Sequence, residues 1–275
     1  MSEQGNNINE KAVEKAFTKQ SVVFDEIYSS NIIIKYKRQR VRDHVSQYLK
    51  PNSNILELNA GTGEDAVWFA KQGHFVHATD ISVGMQEKLA QKSREHGMIS
   101  RISNELCSFN ELSGLKKKGP YDLIFSNFAG LNCTGELNKV LTSFEELLKP
   151  GGFITLVLLP RFCLWETMTF LRGEFKTAFR RFFSSKGVKA QIEGEFFTCW
   201  YYNPSYITRT LEATYDVLSI EGLCTLVPPS YLEKFPNKRP KLYNWLKGKE
   251  NRWKSLWPWK IIGDYYIISL KKKVT

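Results

Sequence analysis

Ile55-Leu56-Glu57-Leu58-Asn59-Ala60-Gly61-Thr62-Gly63-Glu64-Asp65 carries a stretch of buried-strand character straight into a Gly-x-Gly turn. The apolar positions Val67, Trp68, Phe69 and Ala70 then continue as a helix. Gly61 and Gly63 lack a Cβ, so the backbone can turn tightly and let a ligand lie against it, while free N–H groups at the helix start point at that ligand. By itself the turn fits a ligand-cradling loop or an ordinary strand-to-helix connection equally well.

The next segment of the chain separates these two possibilities. Gly73 ends the helix, His74-Phe75-Val76-His77-Ala78-Thr79 reads as a second strand, and Asp80 stands at its carboxyl end. An acid about 20 positions after a glycine loop can accept hydrogen bonds from both hydroxyls of a ribose. Ile55 to Gly63 followed by Asp80-Ile81-Ser82 resembles the cofactor site of class I S-adenosylmethionine-dependent methyltransferases. A dinucleotide fingerprint tolerates Ala66 in place of its third glycine, so the glycines leave that alternative open; the acidic Glu57 inside the first strand sides with the methyltransferases.

The resemblance implies an α/β fold: a Rossmann-like, seven-stranded, mostly parallel sheet with helices on both faces, S-adenosyl-L-methionine as cofactor and methyl transfer as activity. It implies that Glu57 holds the glycine loop and the methionine end of the cofactor, that Asp80 takes the ribose, and that Ile81 and Met85 sandwich the adenine. Met85 fits ordinary helix core equally well. Asn59 replaces a glycine common in the family, and Asn tolerates positive φ. Ser108 stands where the family usually has an acid for the adenine amino group, with Phe109 beside it, and Ser108 accepts a hydrogen bond more weakly. Asn127 ends the fourth strand, Tyr121 to Asn127, where this fold faces the methyl donor. Tyr28 completes the expected cofactor set, from an N-terminal helix covering the cofactor with Tyr28 or Arg42 toward it.

The 275 residues suit one α/β core with a cap. An N-terminal helical arm is expected over 1–50 and the methyltransferase domain over 51–275, with insertions at about 161–203 and 224–261. No stretch approaches about 20 consecutive apolar residues and the polar start has no apolar signal core, so a cytoplasmic protein is expected, with peripheral contact to a membrane left open. The five cysteines are widely spaced without a Cys-x-x-Cys pair, which argues against a disulfide framework and a zinc site. Net charge is +11, and it is uneven: residues 1–160 hold 19 Lys and Arg against 18 Asp and Glu, residues 161–275 hold 20 against 10, and six of seven Trp lie in the later part. The later half is therefore the expected meeting surface for partners.

Along the chain, residues 12–29 suit one or two amphipathic helical turns broken near Gln20-Ser21, and Ile32 to Leu49 suits a helix whose Lys35, Lys37, Arg38, Arg40 and Arg42 form a solvated face. Both insertions are expected to wall the acceptor pocket. In the first, an amphipathic helix would bring Trp165, Phe175 and Phe179 to the acceptor, and Val188 to Tyr202 would form a hairpin around Gly194. In the second, Leu242 to Ile262 interleaves Trp245, Trp253, Trp257 and Trp259 with Lys247, Lys249, Arg252, Lys254 and Lys260, with Gly248 and Pro258 interrupting any long helix. That mixture suits a membrane surface or, alternatively, packing onto the sheet.

For the reaction, a sulfonium supplies its own leaving group, so alignment of an acceptor and exclusion of water carry most of the task. His44, His74, His77 and His96 fall in no catalytic or metal-ligand spacing, and no catalytic residue or metal is assigned. The aromatic insertions favour a hydrophobic or aromatic small-molecule acceptor, natural-product or lipid-like. An RNA or other nucleic-acid acceptor is the alternative, because bases interleaved with Tyr and Trp also suit phosphates and stacked bases. A cofactor-binding protein without catalysis is a third reading. Oligomeric state is left open.

Overall fold

A computed structural model describes residues 3–182 and 186–274. Phe183, which the sequence places in the aromatic segment of the first insertion, lies outside the described residues. At one edge of the sheet lies β3 (Ile102–Leu106), polar and largely exposed, next to β2 (Phe75–Asp80), and near-continuous apolar runs form β1 (Asn54–Leu58), β4 (Tyr121–Ser126) and the later part of β5 (Leu148–Leu158). Such runs belong to parallel strands covered on both faces. A separate hairpin, β6 (Val188–Ile192) and β7 (Glu195–Cys199), precedes β8 (Tyr215–Leu223) and β9 (Tyr265–Lys272). The main sheet has the order β3-β2-β1-β4-β5-β9-β8, and β9 alone runs against the other six strands. Order reverses at β1, between β2 and β4, so a crevice opens at the carboxyl ends there.

Three helices precede the sheet: α1 (Glu3–Gln20), α2 (Phe24–Ser29) and α3 (Ile32–Ser46). Then come α4 (Glu64–Lys71), α5 (Val83–Glu95) and α6 (Leu137–Leu147), the short α7 (Leu164–Met168) and α8 (Phe175–Phe179), α9 (Pro204–Leu211), α10 (Phe235–Lys238) and α11 (Pro240–Trp253). One face of the sheet packs on Val41 and Val45 of α3, Phe69 of α4 and Leu89 of α5. The other packs on Val140, Leu141 and Phe144 of α6 with Ile207 and Leu211 of α9. No described helix is long and apolar enough to cross a membrane.

The N-terminal arm departs most from the sequence reading. Its break at Gln20 is where expected, but α1 is a full 18-residue helix, longer than the turns that apolar spacing suggested. Gly84 on α5 explains how α1 comes so close: a Cβ there would lie 2.4 Å from Ser21 Oγ and 3.0 Å from the Thr18 carbonyl oxygen. On its other side α1 holds the hairpin, where Asn9 accepts from the Thr198 N–H at 2.6 Å and donates to the Cys133 carbonyl at 2.8 Å. Of the basic face of α3 only Lys35 is exposed to solvent. Lys37 and Arg40 are buried, and Arg40 reaches Glu221 at 3.1 Å and Glu250 at 3.6 Å.

The two later segments also differ from expectation. A single amphipathic helix does not form in 161–182, because Gly173 takes φ +78° and separates a 3-10 turn (Thr169–Arg172) from α8. The β6–β7 hairpin turns at Glu193 and Gly194, both at positive φ, as a tight two-residue connection requires. In the second segment α11 runs straight through Gly248, so that glycine does not interrupt it. The Glu250 carboxylate fixes α11 by accepting from the N–H groups of Cys224, Thr225, Leu226 and Val227 at 2.8–3.0 Å. Trp253 and Trp259 stack with centroids 5.2 Å apart, whereas Trp245 and Trp257 are 56% and 77% exposed.

Candidate active site

The crevice at the β1 reversal is closed over by the N-terminal helices into a cavity of about 330 Å³. Its floor is the glycine loop. Gly61 and Gly63 stand at φ +56° and +82°, conformations that a side chain would strain. The Gly61 N–H donates to Asp80 Oδ2 at 2.8 Å and the Ser82 N–H to Asp80 Oδ1 at 2.9 Å, which fastens the loop to the end of β2. Burial pushes the Asp80 carboxyl up, against the pull of these backbone donors. Each oxygen keeps a lone pair for a further donor such as a ribose hydroxyl.

At the end of β1, the buried Glu57 Oε2 has no hydrogen-bond partner. Burial pushes this carboxyl well up, the neighbouring Asp65 adds to the shift, and Arg38 and Arg42 oppose it. An orphaned carboxyl oxygen on a cavity wall fits a ligand that brings a donor, and the ammonium of a methionine moiety is such a group. Asn59, at φ +45°, accepts from Ser126 Oγ at 2.6 Å and donates to the Asn127 carbonyl at 2.9 Å, tying the loop to the end of β4. Asn127 in turn donates to Asp65 at 2.8 Å. Burial works against the Asp65 charge, but Arg38 at 2.7 Å and Arg42 at 2.9 Å hold the carboxyl below its usual range.

Nine residues of the expected cofactor set line this one cavity: Tyr28, Glu57, Asn59, Gly61, Asp80, Ile81, Met85, Phe109 and Asn127. Gly63 and Ser108 do not. A Cβ on Gly63 would lie 2.7 Å from Leu89 Cγ, so its missing side chain lets α5 pack against the loop. The Ser108 hydroxyl accepts from the Asn110 N–H at 3.1 Å, capping the 3-10 turn Phe109–Gly114. Arg42 is likewise off the wall, engaged with Asp65 and 5.2 Å from the Trp68 ring centroid.

The cover comes from the arm. Val13 and Phe17 of α1, Phe24 and Tyr28 of α2, and Ile34, Lys37 and Arg38 of α3 face the cavity. Ile34, Lys37 and Arg38 share one helix face by their spacing, a signal present in the sequence; nothing in the sequence of α1 announced its docking. Thr62 Oγ1 donates to Asp25 at 2.6 Å and Lys92 pairs with Asp25 at 2.8 Å, joining α2 to the loop and α5. The expected aromatic wall of Trp165, Phe175 and Phe179 lies elsewhere. Phe175 and Phe179 gather around Phe170, at 5.2 and 6.0 Å between centroids, on an exposed surface. Of residues 161–203 and 224–261, only Ile192 and Ser230 reach the cavity among the described residues.

No histidine lines the cavity among the described residues. His44 is buried between Ser269, at 2.9 Å, and Glu221, at 3.2 Å, and His77 contacts Ser103 and Glu105. Burial raises the lining Tyr28 and Tyr265 phenols, pushes the Cys107 thiol up to about 11 and lifts Cys133 well up. These hydroxyls and thiols stay protonated at neutral pH, and what the cavity offers a reaction is alignment and a dry setting.

The family described as "Methyltransferase domain" matches residues 55–152, from β1 into β5. A polyketide synthase-nonribosomal peptide synthetase of Aspergillus flavipes is 29% identical over 141 residues, which is 50% of this chain and 3% of that protein. The chain thus spans only a few per cent of the length of such relatives. Among solved structures, the [4+2]-cyclase SpnF superposes with a TM-score of 0.61 at 16% identity, covering 97% of both chains. The 1,6-didemethyltoxoflavin-N1-methyltransferase of Burkholderia thailandensis, with S-adenosylhomocysteine bound, gives 0.57 at 14% identity over 98% of this chain and 90% of that one. These two likenesses are of fold.

Proposed function

We propose that the chain, whose residues 55–152 match a methyltransferase domain, is a class I S-adenosylmethionine-dependent methyltransferase that methylates a hydrophobic or aromatic small molecule of natural-product or lipid-like type. The observation that carries this reading is the cavity's cover. Beyond the cofactor residues the walls include Ile34, Phe128 and Tyr265, with Val13, Phe17 and Phe24 from the arm, beside the polar Lys37, Arg38 and Ser230. An enclosed, largely apolar space with a few polar groups suits a small acceptor. When bound, the cofactor supplies an electrophilic methyl group with its leaving group attached. In this reading Glu57 and Asn127 hold its methionine end, Asp80 its ribose, and Ile81, Met85 and Phe109 its adenine. The helices α1 to α3 exclude water.

The experiment is incubation of cell extracts with purified protein and cofactor labelled in the methyl group, followed by mass spectrometry of the organic-soluble and RNA fractions. Label in an organic-soluble product is expected. Label confined to ribonuclease-sensitive material would make the acceptor RNA, and cofactor binding without label in any fraction would indicate a non-transferring protein.

We further propose that Leu242 to Ile262 touches a membrane surface. Trp245, Leu256 and Trp257 are exposed in a segment that also carries Lys247, Lys249, Arg252, Lys254 and Lys260. Indoles and bases presented together suit anionic headgroups.

A further inference from the structure

Five Lys and Arg residues lie on α3; Lys35 is exposed, and three of the other four have carboxylate partners. Arg38 and Arg42 take Asp65, and Arg40 takes Glu221 and Glu250. Lys37 has none within ion-pair distance among the described residues, although it is only 2% exposed. Its Nζ donates to Ser230 Oγ at 3.1 Å and stands 4.4 Å from the Tyr265 ring centroid and 5.5 Å from that of Phe128. Burying an ammonium is costly, and two aromatic faces and one hydroxyl return only part of the lost hydration. The group has three donors, and Ser230 occupies one.

Position gives this cation its meaning. Lys37, Ser230, Phe128 and Tyr265 all line the cavity. Phe128 follows the end of β4 and Tyr265 begins β9, while Asp80, Ile81 and Phe109 stand at the ends of β2 and β3, across β1 on the other side of the sheet. Lys37 therefore occupies the side of the cavity away from the expected ribose and adenine positions. We propose that Lys37 Nζ binds an anionic oxygen of the methyl acceptor, a carboxylate carried by an otherwise apolar molecule, seated between Phe128 and Tyr265. This rests on the methyltransferase reading and narrows its acceptor class. A cationic acceptor would meet Lys37 as a repulsive element, so the same residue selects against amines that are protonated at neutral pH.

The test uses full-length protein saturated with S-adenosylhomocysteine and two pairs of probes, 3-phenylpropanoate with 3-phenylpropanamide and octanoate with octanamide, titrated by calorimetry. The carboxylates should bind about 10-fold or more tightly than their amides, the scale of a charge-assisted hydrogen bond. Lys37→Met should abolish that preference and Lys37→Arg should keep most of it, with affinity for S-adenosylhomocysteine unchanged within about twofold in both. Should Lys37→Met fail to fold, the wild-type carboxylate-against-amide comparison and Lys37→Arg still decide. Equal binding of acids and amides, no binding of either acid to the loaded wild type, or an undiminished preference in Lys37→Met would overturn the proposal. So would a loss of S-adenosylhomocysteine affinity in Lys37→Met, which would assign the cation to the cofactor's own carboxylate. Failure of the wild type to bind S-adenosylhomocysteine would instead overturn the methyltransferase reading beneath it.

Discussion

Gly84→Ala tests whether α1 is a working wall of the cavity. The added Cβ would sit 2.4 Å from Ser21 Oγ, 3.0 Å from the Thr18 carbonyl oxygen and 3.2 Å from Ser21 Cβ. To relieve the first contact Ser21 must give up its hydrogen bond to the Thr18 carbonyl at 2.8 Å, and the Thr18 oxygen and Ser21 Cβ must then yield by a few tenths of an ångström, so the load falls on the end of α1. Overpacking of this kind costs about 1–3 kcal/mol. Gly84 also lies in α5, where Ala is a better helix former by about 1 kcal/mol. The two effects have opposite signs and different readouts. If α1 simply swings away, α5 gains from the alanine, while Val13 and Phe17 leave the cavity wall. Affinity for S-adenosylhomocysteine should then fall by up to about 1–3 kcal/mol, or roughly 5- to 150-fold, with little change in melting temperature. Calorimetry reads the affinity, and amide exchange of α1 reads its detachment. Ser21→Ala in the Gly84→Ala background removes the shortest contact and should restore part of the affinity, a coupling of about 0.5–3 kcal/mol. Wild-type affinity in Gly84→Ala, with α1 exchange unchanged, would refute the idea of a working wall.

Other parts of the molecule carry their own expected outcomes. Asp80→Asn keeps the shape but sets an amide against the Gly61 and Ser82 donors, so S-adenosylhomocysteine binding by calorimetry should weaken by about 1.5–3 kcal/mol; tight NAD binding without response to S-adenosylmethionine would contradict the assignment. Burial works to raise the Glu221 carboxyl, but His44 and Lys254 outweigh it and bring the group from 4.5 to about 2. A depressed folded value means stability that is full above pH 4.5 and lost as pH falls toward 2, so the melting-temperature gap between wild type and Glu221→Gln should close across that window; a gap independent of pH would contradict it. For the surface segment, co-sedimentation with anionic vesicles at low salt should occur, weaken with salt and be reduced by Trp245→Ala with Trp257→Ala, the two most exposed indoles of that segment. No sedimentation at low salt would leave the segment as packing.

Much of the site was legible because it depends on local chemistry. Glu57, Gly61 and Asp80 sit at fixed offsets along a strand, a turn and a second strand, and parallel pairing of β1 with β2 brings those offsets together wherever the pattern occurs. Asn59 was readable for the same reason, since the need for positive φ is a property of the turn itself. Ser108 and Gly63 show the limit of this reasoning. Position in a motif placed them near a ligand, but a capping hydrogen bond turns one hydroxyl to the backbone, and the close packing of Leu89 accounts for the other's missing side chain.

The sequence by itself determined the sheet, its glycine loop and the acid pair that a cofactor would need, because these depend on periodicity and short-range backbone geometry. The resemblance already put an N-terminal helix over the cofactor; only the tertiary structure decided that the arm, and not the first insertion, supplies most of the cavity's cover. The aromatic-rich insertion looked like the wall by composition, yet Gly173 breaks its helix and its phenylalanines cluster among themselves. The arm with weaker apolar spacing supplies the wall, through a missing Cβ at Gly84 and ion pairs between α3 and Asp65. Composition reports how much apolar or basic surface a segment has, and hydrogen-bond and ion-pair partners distant in sequence fix which way that surface faces. The same reason hid Lys37: one basic residue in a run of them reads as solvated until its neighbours are seen to be paired and it is not.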